Sequence, residues 1–181
     1  PDYPEAHNNL GNALARAGRP DDARRHYGEA VARRPAFAEA QSNLGNALLE
    51  AGRAPEAIAR FERALALRPD YAEARYNWGN ALAATGDLPG ALAQYRRALQ
   101  LNPGYAEAHV NAGNALLALE RPGEALRHYE TAVALDPQLA DAHYNLGSVS
   151  LQLGRWADAI PRFEAALRLA PDNANAHRAL G

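Results

Sequence analysis

The chain has 181 residues, 48% of them apolar, and a formal net charge of −2, so it offers no basic field to attract nucleic acid or an anionic membrane surface. It contains no run of about 18 apolar residues to span a membrane and no charged-then-apolar leader. Cys is absent, which excludes disulfides, thiol catalysis and thiolate metal sites.

The residues recur with a period of 34. Glycine stands at Gly11, Gly45, Gly79, Gly113, Gly147 and Gly181, and proline at Pro35, Pro69, Pro103, Pro137 and Pro171. Alanine stands at Ala23, Ala57, Ala91, Ala125 and Ala159, and again at Ala30, Ala64, Ala98, Ala132 and Ala166. A fixed period of this length means one supersecondary unit stacked on copies of itself. With Pro4 as position 1, the chain reads as a single array of repeats 4–37, 38–71, 72–105, 106–139 and 140–173, with a partial sixth at 174–181.

Within a repeat, Ala40, Leu44, Gly45, Ala47, Leu48 and Ala51 form a helical stripe rather than a strand alternation. The run Ala51-Gly52-Arg53-Ala54-Pro55 breaks it. Glycine at position 15 suits a left-handed cap, and Pro20, Pro55, Pro89 and Pro122 suit the first turn of a second helix. That helix carries Ala57, Ile58, Phe61, Ala64, Leu65 and Leu67 and ends at Arg68-Pro69. Small residues such as Gly45, Ala57 and Ala64 let helix axes approach, and Tyr27, Phe61, Tyr95, Tyr129 and Phe163 fill the remaining space. Three later positions depart from the pattern: Glu120 replaces the turn glycine, Ser150 replaces a core leucine, and Pro161 falls inside a second helix. Pro161 is predicted to lose one backbone hydrogen bond and to bend its helix.

At these residues the chain resembles the tetratricopeptide repeat family. The shared pattern is Leu at position 7, a small residue at 8, Ala at 20, an aromatic at 24, Ala at 27 and Pro at 32, and it covers the whole chain. The resemblance implies an all-α, right-handed superhelical solenoid of antiparallel helix pairs, used as a binding scaffold. Position 4, often Trp in the family, is His7, Gln41, Arg75, His109, His143 and His177. The chain ends inside a repeat and lacks an initial Met, so a piece of a longer array is expected, with uncapped ends open to end-to-end self-association.

Two rows of asparagine are the clearest functional signal. Position 6 is Asn9, Asn43, Asn77, Asn111 and Asn145; position 9 is Asn12, Asn46, Asn80 and Asn114, with Ser148 last. Three residues apart, the rows share one helix face, opposite the apolar stripe. An acidic row at position 2, Glu5, Glu39, Glu73, Glu107 and Asp141, lies on the same face. The resemblance places these first helices along the concave side of the array. A primary amide both donates and accepts, so a ladder of them can hold a peptide backbone whatever its side chains. Position 5 (Asn8, Ser42, Tyr76, Val110, Tyr144) would add selectivity, with Tyr76 and Tyr144 the natural contacts. The plainer alternative is that the amides tie neighbouring helices together. For the acidic row, the plainer alternative is complementing the helix dipole.

The expected function is a non-enzymatic protein–protein interaction scaffold that takes an extended peptide in its groove. The run Asn-x-Leu-Gly-Asn at Asn9–Asn12 and Asn43–Asn46 is similar to the arrays of O-linked N-acetylglucosamine transferases and to those of many bacterial repeat proteins. This gives the alternative of a substrate-recognition arm of a larger glycosyltransferase; a self-assembling scaffold is the third. The carboxylate clamp that other family members use for acidic tails fails here, since Asn8, Asn12, Asn43, Glu73 and Asn77 supply none of its cations. The six histidines form no HExxH run, and Ser42, Ser148 and Ser150 have no nucleophile motif, so no metal, no cofactor and no catalytic residue is expected. The arginine pairs Arg24-Arg25 and Arg96-Arg97 read as solvated faces, and neither nucleic acid nor membrane is an expected partner. The compartment is left open, with the cytoplasm the default.

Overall fold

The computed structural model describes residues 3–180; Pro1, Asp2 and Gly181, the last member of the glycine register, lie outside the described residues. Those described form eleven α-helices and no strand. The chain divides into two compact units, Pro1–Gln94 and Tyr95–Gly181. The first unit holds α1 (Pro4–Arg16), α2 (Pro20–Arg33), α3 (Ala38–Glu50), α4 (Ala54–Leu67) and α5 (Ala72–Ala84). The division falls inside α6 (Leu88–Leu101). The second unit continues with α7 (Ala106–Ala118), α8 (Pro122–Leu135), α9 (Ala140–Gln152), α10 (Trp156–Leu169) and α11 (Ala174–Leu180).

The first helices begin without side-chain caps, because position 34 is apolar: Tyr3, Phe37, Tyr71, Tyr105 and Leu139. The free amides of their first turns instead face an acidic residue at position 2, which complements the positive end of the dipole. Two of the aromatic N-caps also receive an arginine. The guanidinium carbon of Arg34 stands 4.3 Å from the Phe37 ring centroid, and that of Arg68 stands 3.6 Å from the Tyr71 centroid.

Between the helices of each pair, position 15 takes the left-handed conformation in all five repeats. Gly18, Gly52, Gly86 and Gly154 have φ between 72° and 87°, and Glu120 is forced to φ 59°. A side chain in that region costs about 1–2 kcal/mol, so the fourth turn is strained as its sequence implies. Pro161 does not end its helix. α10 runs unbroken through it, and the carbonyl of Ala157, which loses its intrahelical donor, belongs to an exposed residue that water can serve.

In the first unit α1 packs on α2, α3 on both α2 and α4, and α5 on α4. In the second, α7 packs on α8, α9 on both α8 and α10, and α11 on α10. Alanines at positions 20 and 27, such as Ala57 and Ala64, are buried where helices meet, as are Ala40, Ala74, Ala108 and Ala142 at position 3. The aromatic at position 24 is buried in every repeat, and the rings of Tyr27, Phe61, Tyr129 and Phe163 lie directly on Gly11, Gly45, Gly113 and Gly147. A Cβ on Gly113 would stand 2.5 Å from Tyr129 Cε1, and one on Gly45 would stand 2.7 Å from Phe61 Cε1. Glycine is required at position 8 by the ring it carries.

Position 4 has a use that the family pattern did not reveal. Its side chain reaches back to the proline carbonyl that closes the preceding repeat. Gln41 Nε2 donates to the Pro35 carbonyl at 3.0 Å, Arg75 Nη2 to that of Pro69 at 3.0 Å, His143 Nε2 to that of Pro137 at 3.1 Å and His177 Nε2 to that of Pro171 at 2.8 Å. Three kinds of side chain, Gln, Arg and His, thus do one job.

The glycines give a paired stability test. Gly113→Ala should destabilise the protein by about 1–3 kcal/mol through overpacking against Tyr129. At Gly28, inside α2, an added Cβ meets nothing within 4 Å. Gly28→Ala should therefore stabilise by about 0.5–1 kcal/mol through helix propensity and a less flexible unfolded chain. Urea unfolding followed by circular dichroism measures both.

Candidate functional site

The two asparagine rows run along the faces of α1, α3 and α5 in the first unit and of α7 and α9 in the second. None of the nine is buried: Asn9 and Asn114 are exposed, and the others are half-exposed. Within this face the structure joins the end of one first helix to the middle of the next. Asn43 Nδ2 donates to Asn12 Oδ1 at 3.2 Å and to Asn8 Oδ1 at 2.9 Å. In the second unit Asn145 Nδ2 donates to Asn114 Oδ1 at 3.1 Å. The same acceptors also take the hydroxyl of the buried tyrosine, Tyr27 to Asn12 at 2.9 Å and Tyr129 to Asn114 at 2.7 Å.

The amides therefore hold the stack together, as one of the two sequence readings had it, but each spends only half of its capacity. Asn12 and Asn114 use their oxygen; Asn43 and Asn145 use their NH2 group. Among the described residues, the NH2 groups of Asn12 and Asn114 and the oxygens of Asn43 and Asn145 have no partner. Asn9, Asn46 and Asn77 have no side-chain hydrogen bond there at all, whereas Asn80 and Asn111 are engaged. Asn46 belongs to a repeat whose position 24 is Phe61, which has no hydroxyl to offer. It lines a cleft of about 190 Å3 with Asn43, Glu50, Ala15, Pro20 and Tyr27.

Position 5 departs from expectation. Asn8 and Ser42 are 1% exposed and Val110 is 9% exposed, so the next repeat covers them and they face no ligand. Asn8 Nδ2 instead donates to Glu39 Oε1 at 3.3 Å, which also occupies one member of the acidic row. Tyr76 and Tyr144 stay half-exposed; Tyr144 packs its ring on Phe163 with centroids 5.8 Å apart. Glu5 is ion-paired with Arg34, while Glu73, Glu107 and Asp141 remain exposed.

A second arrangement was not foreseen from the sequence. Positions 4 and 23 face each other across the helix pair, 19 residues apart. Nδ1 of His7 lies 3.0 Å from Nδ1 of His26, and His109 repeats this with His128 at 3.0 Å. One nitrogen of each pair must carry the proton and the other the lone pair. The available signal was the coincidence of His at both positions in the first and fourth repeats only. No group of three or more His, Cys, Asp or Glu side chains able to hold a metal occurs among the described residues. No helix among them is long and apolar enough to cross a membrane.

Helix pairs stacked in series, with one repeated polar face, define the class of helical-repeat scaffolds. The model described as tetratricopeptide repeat matches residues 8–59, 43–106, 110–174 and 150–181, and the chain belongs to that family. No curated protein matches it by sequence. Among solved structures, YrrB, described as a TPR protein with an unusual peptide-binding site, is 26% identical with a TM-score of 0.76, covering 96% of this chain and 90% of its own. MamA is 25% identical with a TM-score of 0.79, covering 91% and 96%. PilF of Pseudomonas aeruginosa, at 19% identity and a TM-score of 0.88 over 96% and 79%, shares the fold.

Two measurements follow from the side-chain geometry. Tyr129→Phe removes one donor from Asn114 and leaves the ring in place, so stability should fall by about 0.5–1.5 kcal/mol. Phe61 shows that the packing accepts a phenyl ring, and thermal or urea unfolding reads the loss. The second concerns acid. Burial first, then the charges of His109, Arg96 and Arg127, lower the pKa of His128 to about 4; Glu124 opposes this. Burial also lowers that of His109, against its backbone bond to Pro103. The unfolded chain takes up protons below about pH 6.5, whereas folded His128 does so only near 4. The fold is thus fully stable above this window and loses stability as the pH falls through it. His128→Gln should flatten the urea midpoint across the same range.

Proposed function

We propose that this chain is a non-enzymatic interaction scaffold that binds an extended polypeptide segment along the asparagine face of its first helices. The half-spent amides carry this reading. At Asn12 and Asn43 the ladder leaves one donor and one acceptor side by side, and Asn114 with Asn145 leave the same pair. That is the complement of a peptide unit, which offers one N–H and one C=O. The amides are held in place by Tyr27 and Tyr129, so little side-chain entropy is lost on binding. The unpartnered Asn46 and Asn77 add further sites on the same face. Glu73, Glu107 and Asp141, with Glu50 in the cleft beside Asn46, favour a segment carrying Lys or Arg. The likeness to YrrB, whose description includes a peptide-binding site, is consistent with this use.

The test separates the binding amides from the structural ones. Fluorescein-labelled extended peptides, one Gly/Ser-spaced and neutral, one with interspersed Lys and one with interspersed Glu, are titrated by anisotropy. Binding of the Lys peptide above the other two is expected. Asn46→Ala with Asn77→Ala should weaken it by about 5- to 100-fold, on the basis of about 0.5–1.5 kcal/mol per lost hydrogen bond, with the urea midpoint unchanged. Equal affinity in the double variant would leave the rows with a structural role alone.

A further inference from the structure

The second unit contains a cleft of about 560 Å3 that the asparagine face does not use, bounded by α8, α9 and α10. Its size falls within the range of about 300–1,000 Å3 typical of small-molecule sites. Ser150 lines it, at a position where the other four full repeats carry leucine. The second and fourth repeats have Leu48 and Leu116 at that position, both buried, and they close the stack where the fifth repeat leaves space. The cleft also contains Pro161.

Three arginines line the cleft: Arg155, Arg162 and Arg168. Among the described residues their guanidinium groups have neither a hydrogen bond nor an ion pair. The contrast with the same position in other repeats is direct. Arg19, Arg53 and Arg121, which occupy the place of Arg155 in other repeats, are each clipped to the carboxylate three residues on, at 2.8, 2.6 and 2.7 Å. Asp158, the corresponding carboxylate, lines the cleft with Glu130, but the three cations still outnumber these two anions.

The floor holds a further polar group. His143 is 7% exposed; its Nε2–H donates to the Pro137 carbonyl at 3.1 Å, and its Nδ1 is buried without a partner. In the first and fourth repeats the same nitrogen meets a histidine at position 23, at 3.0 Å. In the fifth repeat position 23 is Arg162, a residue of the cleft wall. His143 Nδ1 is therefore directed to the Arg162 side of the cleft, with its usual partner replaced by a cation.

We propose that this cleft binds a small organic anion, gripped through a carboxylate or phosphate group by Arg155, Arg162 and Arg168. Planar guanidinium groups suit both anions, since each offers paired donors to paired oxygens. His143 Nδ1 supplies a polar contact from the floor, as a donor when protonated or as an acceptor from a protonated ligand oxygen. The hydroxyl of Ser150 stands where a leucine would exclude the ligand.

Isothermal titration with inorganic phosphate, AMP and citrate, each against chloride of equal ionic strength, tests the proposal. Saturable binding of at least one probe is expected. Binding of phosphate and AMP with citrate silent assigns the phosphate group, and the reverse assigns the carboxylate. Arg162→Gln should weaken the bound probe at least tenfold. Ser150→Leu, which restores the core residue of the other repeats, should abolish binding while raising the urea midpoint, so that lost binding cannot reflect lost fold. His143→Gln keeps the proline tie, as Gln41 does, and should bind more weakly. No saturable binding of any probe above the chloride control, or unchanged affinity in Ser150→Leu, overturns the proposal.

Discussion

An aromatic ring packed on a glycine, repeated at Gly11, Gly45, Gly113 and Gly147, is the constraint on which the rest is built. It sets how closely the two helices approach, and it admits no side chain at position 8. It also determines what appears at the surface. Where the ring is a tyrosine, its hydroxyl passes beyond the glycine and takes hold of the amide one residue along, as Tyr27 does with Asn12 and Tyr129 with Asn114. Where the ring is Phe61 or Phe163, position 9 is an unpartnered Asn46 or a serine. A choice made in the core is thus written onto the asparagine face.

Because the same amides brace the stack and present donors and acceptors, stability and recognition are coupled on this face. Each Asn pair bridges consecutive first helices, so an array of nearest-neighbour contacts has a nearest-neighbour polar seam as well. A ligand lying along that seam would meet groups already oriented by their neighbours. The opposite side of the second unit follows different rules: there a lost leucine and a displaced histidine partner open space in an otherwise repetitive wall.

Much of the fold was legible in the residues themselves. The glycine at position 15, the prolines of the second helices and the alanines at 20 and 27 all report local or nearest-neighbour geometry, and each did what its chemistry required. The burial of Asn8, Ser42 and Val110 at position 5 was not legible, because helical angle alone says which side a residue faces, not how far the next repeat overlaps it. The histidine pairs and the proline ties were hidden for another reason. They join residues 19 or six positions apart through different side chains, His, Gln or Arg, so no single residue type marks them. Pro161 was read as a bend because a missing amide usually matters; the helix continues through it, and water can serve the exposed carbonyl it leaves.

The proline tie has a direction. Gln41, Arg75, His143 and His177 each extend a donor backwards to the proline carbonyl that closes the repeat before. Removing the later partner of a tie leaves a proline carbonyl, which solvent readily satisfies; removing the earlier one strands a donor, and those of Gln41 and His143 are buried. The array is therefore chemically polar along its length, suited to growth in the order of synthesis, with each newly made segment latching onto one that is already complete.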